Sequence, residues 1–223
     1  MTGIACVIPA YNAASTLANV ARGLRAALPG VLLIAVDDGS SDPTHAVALA
    51  SCDRVVRHPA NRGKGAALRA GFAVALNEQV WAVATVDADG QHDPARAPEL
   101  LDALACADMA IGARARTPGK MPLGRRITNR LASAAVGAIV GMRVPDAQSG
   151  YRAIRRVLLE KVHAQGDRYE FETEFLIAAA RAGYRITSVN VPTVYGVPSH
   201  FRACGDSMRV IRALWRYRAP RGG

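Results

Sequence analysis

The chain has 223 residues, half of them apolar, which suits one α/β domain with a core of ordinary size. It carries 28 basic and 18 acidic residues, a net charge of +10, which favours an anionic partner such as nucleic acid, a phosphorylated substrate or an acidic membrane surface. Four widely spaced cysteines exclude the usual zinc spacing, and we interpret them as reduced thiols of a cytoplasmic protein. We also expect no signal peptide, because a strand pattern begins at Ile4.

The first half of the chain alternates apolar, strand-like runs with helical patterns. Strands that alternate with helices form βαβ units, so this order predicts a Rossmann-like α/β fold with a mainly parallel sheet flanked by helices. The predicted strands are Ile4–Ile8, Leu32–Val36, Asp53–Arg57, Trp81–Val86 and Met109–Ala113. The predicted helices are Ala14–Leu28, Thr44–Ala50, Ala66–Asn77 and Ala97–Ala105. Asp42, followed by Pro43, is the expected N-cap of the second helix.

A basic segment opens the second half of the chain. Residues 114–130 contain six basic and no acidic residues, and their prolines and glycines predict a mobile loop. The basic residues are Arg114, Arg116, Lys120, Arg125, Arg126 and Arg130. The loop is expected to lead into an apolar helix at Ile127–Val140. The uncharged apolar stretch Leu131–Met142 is too short to span a bilayer.

Three further elements complete the pattern. A helix is predicted at Phe171–Arg181 and a strand at Arg185–Val191. From Met208 to Tyr217, apolar residues and arginines alternate with helical spacing, which predicts a basic amphipathic helix. Such a helix either lies at a membrane interface or packs on the sheet, and both interpretations stay open.

Polar segments follow three of the predicted strands. They are Pro9–Asn12 after the first strand, Asp37–Ser40 after the second and Asp87–Gln91 after the fourth. Ligands of open α/β sheets bind beyond the carboxyl ends of the strands, so these segments are expected to converge on one edge.

The Asp87–Gln91 segment contains a candidate metal site. Asp87 and Asp89 place two carboxylates at a strand end, and the carbonyl of Gln91 follows closely. Such hard oxygen ligands suit Mg²⁺ or Mn²⁺ and leave coordination positions for phosphate oxygens. The alternative interpretation is that the two aspartates cap a turn or a helix.

Two other segments suit a nucleotide. Asp37 and Asp38 can accept hydrogen bonds from a nucleobase and from ribose hydroxyls, or can cap the helix near Pro43. Gly63-Lys64-Gly65 places backbone amides and an ammonium group at a helix N-terminus, which favours an anion. The segment matches neither a Walker A loop nor the dinucleotide fingerprint, because His58 and Leu68 stand where those motifs need glycine.

Together these segments resemble the family 2 glycosyltransferases with the GT-A fold, in particular the dolichol-phosphate and polyprenyl-phosphate sugar synthases. The likeness extends from about Ile4 to about Val194. The segments that carry it are Val7–Asn12, Asp37–Asp42, Asn61–Gly71, Asp87–Pro94, Ile111–Arg114, Asp146–Arg152 and Phe171–Leu176.

The resemblance implies an inverting transfer of a sugar from a UDP- or GDP-linked donor, with Mg²⁺ or Mn²⁺, by one domain over residues 1–223. Residues 1–113 would form the donor and metal half, 114–200 the acceptor side and 201–223 a basic tail. The implied donor-binding residues are Pro9, Tyr11, Asp37, Asp38, Lys64, Gly65, Asp87 and Ala88. The implied metal ligands are Asp87, Asp89 and Gln91. The implied phosphate-binding residues on the acceptor side are Arg114, Arg125, Arg126, Ser199 and Arg202.

The surplus of arginine from Arg114 onward favours a lipid phosphate as the acceptor, reached from a peripheral position at the inner face of the membrane. A phosphate monoester has a second pKa near ~6 and is already ionised at neutral pH, so it needs cations and no general base. A hydroxyl acceptor on a lipid, polyene or saccharide is the alternative, and Asp146 is then the candidate base. Asp89 is the other carboxylate assigned to catalysis.

Two alternatives of other classes remain at this point. A nucleic-acid-binding protein would explain the positive charge, but the few aromatic residues are not arranged as stacking platforms. We therefore expect no nucleic acid as partner. A nucleotidyltransferase shares a similar fold and acidic metal site, but it needs a glycine-rich, arginine-containing loop where this chain has Pro9–Asn12.

Overall fold

The computed structural model describes residues 3–114 and 123–192, and for residues 123–129 it describes the backbone alone. The strands are β1 Gly3–Ala10, β2 Leu32–Asp37, β3 Arg54–Arg57, β4 Val80–Thr85, β5 Met109–Arg114, β6 Arg152–Arg155 and β7 Ile186–Val191. The helices are α1 Leu17–Ala27, α2 Thr44–Ser51, α3 Lys64–Leu76, α4 Ala97–Asp102, α5 Leu123–Val140, α6 Arg156–Lys161 and α7 Glu170–Arg181. Short 3-10 turns at Pro94–Arg96 and Ala103–Ala105 flank α4.

The strands form one seven-stranded sheet in the order β3-β2-β1-β4-β6-β5-β7. Neighbouring strands are parallel, except that β6 runs antiparallel to both β4 and β5. Strands from both sides of residue 114 therefore belong to the same sheet. The predicted α/β fold with a mainly parallel sheet is confirmed.

Helices cover both faces of the sheet. Val7 and Val36 point into a core that contains Phe72 of α3 and Phe175 of α7. Alternate residues such as Ile8 belong to a second core, built with α1 and α4. Burial on both faces explains why the central strands are almost continuously apolar.

The carboxyl ends of β1, β2 and β4 lie side by side. Backbone hydrogen bonds continue beyond the strands: Asp38 N–H donates to the carbonyl of Ala10, and Val86 N–H donates to that of Val7. His58 N–H donates to the carbonyl of Asp37 in the same way. The polar segments that follow these strands are thereby brought to one edge, as expected for this fold.

The prediction of a loop over residues 114–130 was wrong in its second half. Helix α5 begins at Leu123, four residues before the predicted start at Ile127, so Arg125 and Arg126 are helical residues. Gly124 occupies the first turn of the helix, where a glycine costs less than in the interior.

The strand β6 and the helix α6 were not predicted. The strand has four residues and begins and ends with arginine, so it lacks a long apolar run. Arg152 is nevertheless buried, because its guanidinium donates to the carbonyls of Ser149, Glu172 and Ala147. A strand that contains such a buried arginine cannot be recognised from the hydrophobic pattern of the sequence.

The start of the first helix and the cap of the second differ from the predictions. Helix α1 begins at Leu17, after a turn in which Thr16 N–H donates to the carbonyl of Ala13. Helix α2 begins at Thr44 as predicted, but its N-cap residue is Pro43 and not Asp42. Asp42 still accepts from Thr44 N–H at 3.0 Å, so it satisfies one free amide of the first turn.

None of the helices in residues 3–114 and 123–192 combines the length and the apolarity needed to cross a bilayer. The predicted tail helix at Met208–Tyr217 lies outside these residues.

Candidate active site

The carboxylates of Asp87 and Asp89 follow the end of β4. Asp87 Oδ1 lies 2.6 Å from Lys64 Nζ. Asp89 Oδ1 accepts from Gln91 N–H at 3.0 Å, across a turn in which Gly90 has φ +73°. Ala88, between the two carboxylates, is buried and fixes the turn against the sheet.

Lys64 joins two carboxylates from distant parts of the chain. It begins α3, and its ammonium lies 2.6 Å from Asp87 and 3.0 Å from Glu172 Oε1 on α7. Burial alone would lower the pKa of Lys64, but the two carboxylates raise it above its ordinary value. Burial likewise tends to raise the pKa of Asp87, and the charge of Lys64 brings it below the usual value. Both side chains are charged at neutral pH.

Gly150 forms the floor beneath this ion pair. A Cβ atom at position 150 would lie 2.5 Å from Lys64 Nζ and 2.6 Å from Asp87 Oδ2. The carbonyl of Gly150 accepts from Thr85 Oγ1 at 2.7 Å, which holds this backbone beside the end of β4. The site therefore requires a residue without a side chain here.

Arg114 and Asp146 form a second ion pair at the end of β5. Arg114 Nε lies 2.6 Å from Asp146 Oδ2, and the second guanidinium contact, to Oδ1, is 3.0 Å. Burial tends to raise the pKa of Asp146, but Arg114 holds it below its usual range. Ser133 of α5 accepts from Ala147 N–H and fixes the following turn.

His92 lies between these two ion pairs. Its ring is buried and packs against Tyr151, with 5.1 Å between the centroids. Burial lowers the pKa of His92 to about 4, since the attraction of Asp87 is opposed by Arg114 and Lys64. Its Nδ1 atom is buried without a hydrogen-bond partner. The imidazole is therefore neutral at pH 7.

Asp37 and Asp38 are both buried at the end of β2. Asp38 accepts from the backbone amides of Arg62 and Gly63 and from the ring of His58. Asp37 accepts from Ser40 N–H and therefore fixes the turn after the strand.

The two other nucleoside residues implied by the resemblance lie at the end of β1. Pro9 is half-buried, and Tyr11 exposes 37% of its surface. They share the strand-end edge with Asp38, but contact of any of these residues with a nucleoside remains a prediction.

The Gly63–Gly65 segment packs against the segment that precedes α7. Gly63 has φ +104°, a conformation that glycine tolerates best. A Cβ at Gly65 would lie 2.4 Å from the carbonyl of Gly166. Gly63 N–H donates to Asp38, and Ala66 N–H, which follows this segment, donates to the carbonyl of Asp167. Anion binding by the Lys64 ammonium and by the amides of Lys64 and Gly65 remains a prediction.

The sequence model of Glycosyl transferase family 2 matches residues 5–163, which include both ion pairs. The chain belongs to glycosyltransferase family 2. It is therefore a glycosyltransferase, and the nucleotidyltransferase alternative is set aside.

Several curated relatives of this glycosyltransferase are named for polyprenyl phosphates. Polyprenol monophosphomannose synthase of Mycolicibacterium smegmatis is 35% identical, over 83% of this chain and 75% of the relative. Undecaprenyl-phosphate mannosyltransferase of Micrococcus luteus is 32% identical, over 84% of this chain and 82% of the relative. The resemblance to this branch is confirmed.

Solved structures confirm the GT-A fold. Glucosyl-3-phosphoglycerate synthase of Mycobacterium tuberculosis, in complex with Mn²⁺, UDP and glucosyl-3-phosphoglycerate, superposes with a TM-score of 0.79 at 26% identity. The match covers 97% of this chain and 80% of that one. A complex of the same synthase with Mn²⁺ and UDP-glucose gives a TM-score of 0.78 at 25% identity.

The chemistry of the β4 end fits a divalent cation. In the described part of the chain, no three or more His, Cys, Asp or Glu residues form a complete metal cage. Mg²⁺ commonly takes only one or two carboxylates and completes its shell with substrate phosphates and water. Asp87 and Asp89 therefore suit an ion that binds together with a diphosphate. The backbone N–H of Gln91 donates to Asp89. Binding of the metal by Gln91 remains a prediction.

The structure does not describe the side chains of four predicted phosphate-binding residues. Arg125 and Arg126 lie in the first turns of α5, and their side chains are outside the description. Ser199 and Arg202 lie outside the described residues altogether.

Sequence reasoning assigned no role to three residues of this candidate site: Glu172, Gly150 and His92. Glu172 and Glu174 carried the resemblance, and their spacing around Thr173 on a helix gave no hint of their partners. Glu174 accepts from the amides of Gln165 and Gly166 and so holds the segment that packs on Gly65. The signal available in the sequence was two glutamates among the apolar residues of a predicted helix, since a carboxylate on a buried helix face needs a partner.

Proposed function

We propose that this enzyme transfers a hexose from a UDP- or GDP-linked donor to the phosphate group of a polyprenyl-type lipid, with Mg²⁺ or Mn²⁺. The observation that carries the choice of acceptor is the double contact of Asp146 with Arg114, at 2.6 and 3.0 Å. It bears on whether the acceptor needs a base or a cation.

A hydroxyl acceptor needs a general base whose pKa lies near the working pH. Asp146 was the candidate, but its guanidinium partner lowers its pKa and covers its two oxygens. A carboxylate held in this way is a poor proton acceptor. It is well suited to fix the orientation of Arg114, which lies 12% exposed at a strand end.

A phosphate acceptor fits this arrangement better. Its oxygen is already ionised at neutral pH and needs a cation to hold it near the donor. Arg114 is fixed at the carboxyl end of β5, in the same sheet as Asp87. The names of the relatives, which specify polyprenol and undecaprenyl phosphate, support the same acceptor class.

The donor is assigned to the edge formed by the ends of β1, β2 and β4. Neighbouring structures contain UDP and Mn²⁺ in this fold, which supports a nucleoside diphosphate here. In this proposal Asp38 and Tyr11 would face the nucleoside, while Asp87, Asp89 and Lys64 would face the diphosphate. A bound divalent ion would neutralise charge on the leaving diphosphate.

The reaction is a single in-line displacement. A phosphate oxygen of the acceptor bonds to the anomeric carbon while the bond from that carbon to the donor's β-phosphate oxygen breaks. The nucleoside diphosphate leaves, and the anomeric configuration inverts. Arg114 would hold the acceptor phosphate, and Lys64 would offset charge on the departing diphosphate.

Transfer from labelled UDP- and GDP-sugars tests the proposal. The acceptors are a short polyprenyl phosphate, the matching polyprenol, a free saccharide and 3-phosphoglycerate, each with Mn²⁺ and with EDTA. We expect Mn²⁺-dependent transfer to the polyprenyl phosphate alone. Transfer to the polyprenol but not to its phosphate would contradict the acceptor assignment and return Asp146 to the role of base.

A further inference from the structure

Glu172 is a buried carboxylate to which the proposed transfer reaction assigns no role. It lies in the first turn of α7, with its side chain only 4% exposed, and Oε1 is 3.0 Å from Lys64 Nζ. An isolated buried carboxylate is costly, and the ion pair with Lys64 offsets part of that cost. Its position next to the strand-end aspartates suggests a role in the charge of the site.

Three cations and three carboxylates interact around this ion pair and balance one another. They are Lys64, Arg114 and Arg152 on one side, and Asp87, Asp146 and Glu172 on the other. Asp89 adds a further carboxylate at the end of β4. Among the residues that the structure describes, this cluster therefore has four carboxylates for three cations, a balance that suits a divalent cation.

Lys64 divides its ammonium between two carboxylates at 2.6 and 3.0 Å. Without the charge of Glu172, the ammonium would pair with Asp87 alone, and the cluster would have three carboxylates, including Asp89, for its three cations. A divalent ion at Asp87 and Asp89 would then meet a less negative site. Glu172 has no need to touch that ion to have this effect.

We propose that Glu172 is a positioning residue: it balances the charge of Lys64, and so leaves Asp87 able to share a divalent cation with Asp89. This inference rests on the proposed donor and metal site. It assigns to α7, in the half of the chain implied to serve the acceptor, a contribution to metal binding in the donor half.

The test compares Glu172→Gln with a matched control, Glu174→Gln. Both glutamates are buried on α7, but Glu174 accepts from the amides of Gln165 and Gly166. Binding of Mn²⁺ is followed by the electron paramagnetic resonance signal of the free ion, with saturating UDP or GDP and no acceptor. Nucleotide binding in EDTA is measured in parallel by calorimetry.

We expect Glu172→Gln to raise the dissociation constant of Mn²⁺ about tenfold, as a unit charge acting across the site should do. Nucleotide binding in EDTA should be unchanged or tighter, because the site has become more positive. Glu174→Gln should stay within about twofold of the wild type for Mn²⁺. Glu172→Asp, which keeps the charge, should recover most of the Mn²⁺ affinity.

Equal Mn²⁺ affinity in the wild type and Glu172→Gln would overturn the role of Glu172 alone. An equal loss in Glu174→Gln would also overturn it, since the effect would then come from disturbance of α7. Failure of the wild type to bind Mn²⁺ with either nucleotide would instead overturn the proposed donor site. Thermal unfolding of each variant shows that the proteins compared are folded.

Discussion

Asp146 contacts the guanidinium of Arg114 through both of its carboxylate oxygens, at 2.6 and 3.0 Å. This geometry aligns the planar fork of an arginine and leaves its remaining N–H groups with a fixed direction. A lysine keeps the charge but cannot make the two parallel contacts. Replacement of Arg114 by lysine therefore tests the orientation of the cation separately from its charge.

Arg114→Lys should raise the KM for a polyprenyl phosphate about tenfold and leave the KM for the nucleotide sugar within about twofold. The reason is that a single ammonium contact with Asp146 does not fix the direction of the cation. Steady-state kinetics with each substrate varied in turn checks this. Arg22→Lys, on the exposed face of α1, is the control and should change neither KM.

The pH dependence of transfer should report the acceptor and not Asp146. A phosphate monoester protonates below a pH of about 6, so kcat/KM for the acceptor should fall there. Asp146→Asn should lower activity at every pH, because Arg114 loses its partner, and should leave the midpoint of this fall unchanged. Loss of the acidic limb in Asp146→Asn would identify that carboxylate as the base.

Asp89→Ala should abolish Mn²⁺-dependent nucleotide binding and leave the fold intact. The side chain follows the end of β4, accepts from Gln91 N–H and belongs to neither hydrophobic core. Calorimetry with UDP and GDP, with and without Mn²⁺, is the measurement. Asp102→Ala removes an exposed carboxylate at the end of α4 and should bind like the wild type. Near-normal turnover by folded Asp89→Ala would refute the metal assignment.

Lys64→Met should destabilise the protein by about 3–5 kcal/mol, because it leaves the buried Glu172 and the half-buried Asp87 without their shared cation. The double variant Lys64→Met with Glu172→Gln should recover part of this loss, since only one of the two carboxylates then remains charged. Urea unfolding of both variants in EDTA gives the free energies. A double variant less stable than Lys64→Met would contradict the shared-cation description.

Gly150→Ala should reduce transfer strongly while the chain still folds. Its new methyl group would press on Lys64 Nζ and Asp87 Oδ2 and displace the ion pair by several tenths of an ångström. A loss of about 10–100-fold in kcat/KM is expected from such a displacement. The control is Gly23→Ala, which meets Pro94 Cγ at 2.9 Å, away from both ion pairs. It should cost stability and leave nucleotide binding unchanged.

The parts of the structure predicted from sequence are those that local patterns describe. The apolar runs of β1, β2 and β4 predicted the parallel sheet, and the position of Asp87 after such a run predicted its place at the edge. The strand β6 escaped prediction because Arg152 is buried through three carbonyl contacts, a pattern that no periodicity shows.

Long-range pairing was the second feature that the sequence did not reveal. Arg114 and Asp146 were each singled out, one as a phosphate ligand and one as a base, but nothing in the sequence joined them. Glu172 was noticed only as part of a motif, and its partner Lys64 belongs to a different segment of the family pattern. Charge pairs between distant elements depend on the order of the strands in the sheet, and only the fold supplies that information.

The antiparallel insertion of β6 has a consequence for how such enzymes diversify. Because β6 enters the sheet beside the end of β4, the backbone at Gly150 lies directly beneath the Asp87–Lys64 ion pair. A recombinant that exchanged residues 123–192 between relatives, to change the acceptor, would also replace this floor and the glutamate on α7. The two halves of the chain are therefore not interchangeable cassettes. Active chimaeras should therefore keep Gly150 and Glu172 together with the strand-end aspartates.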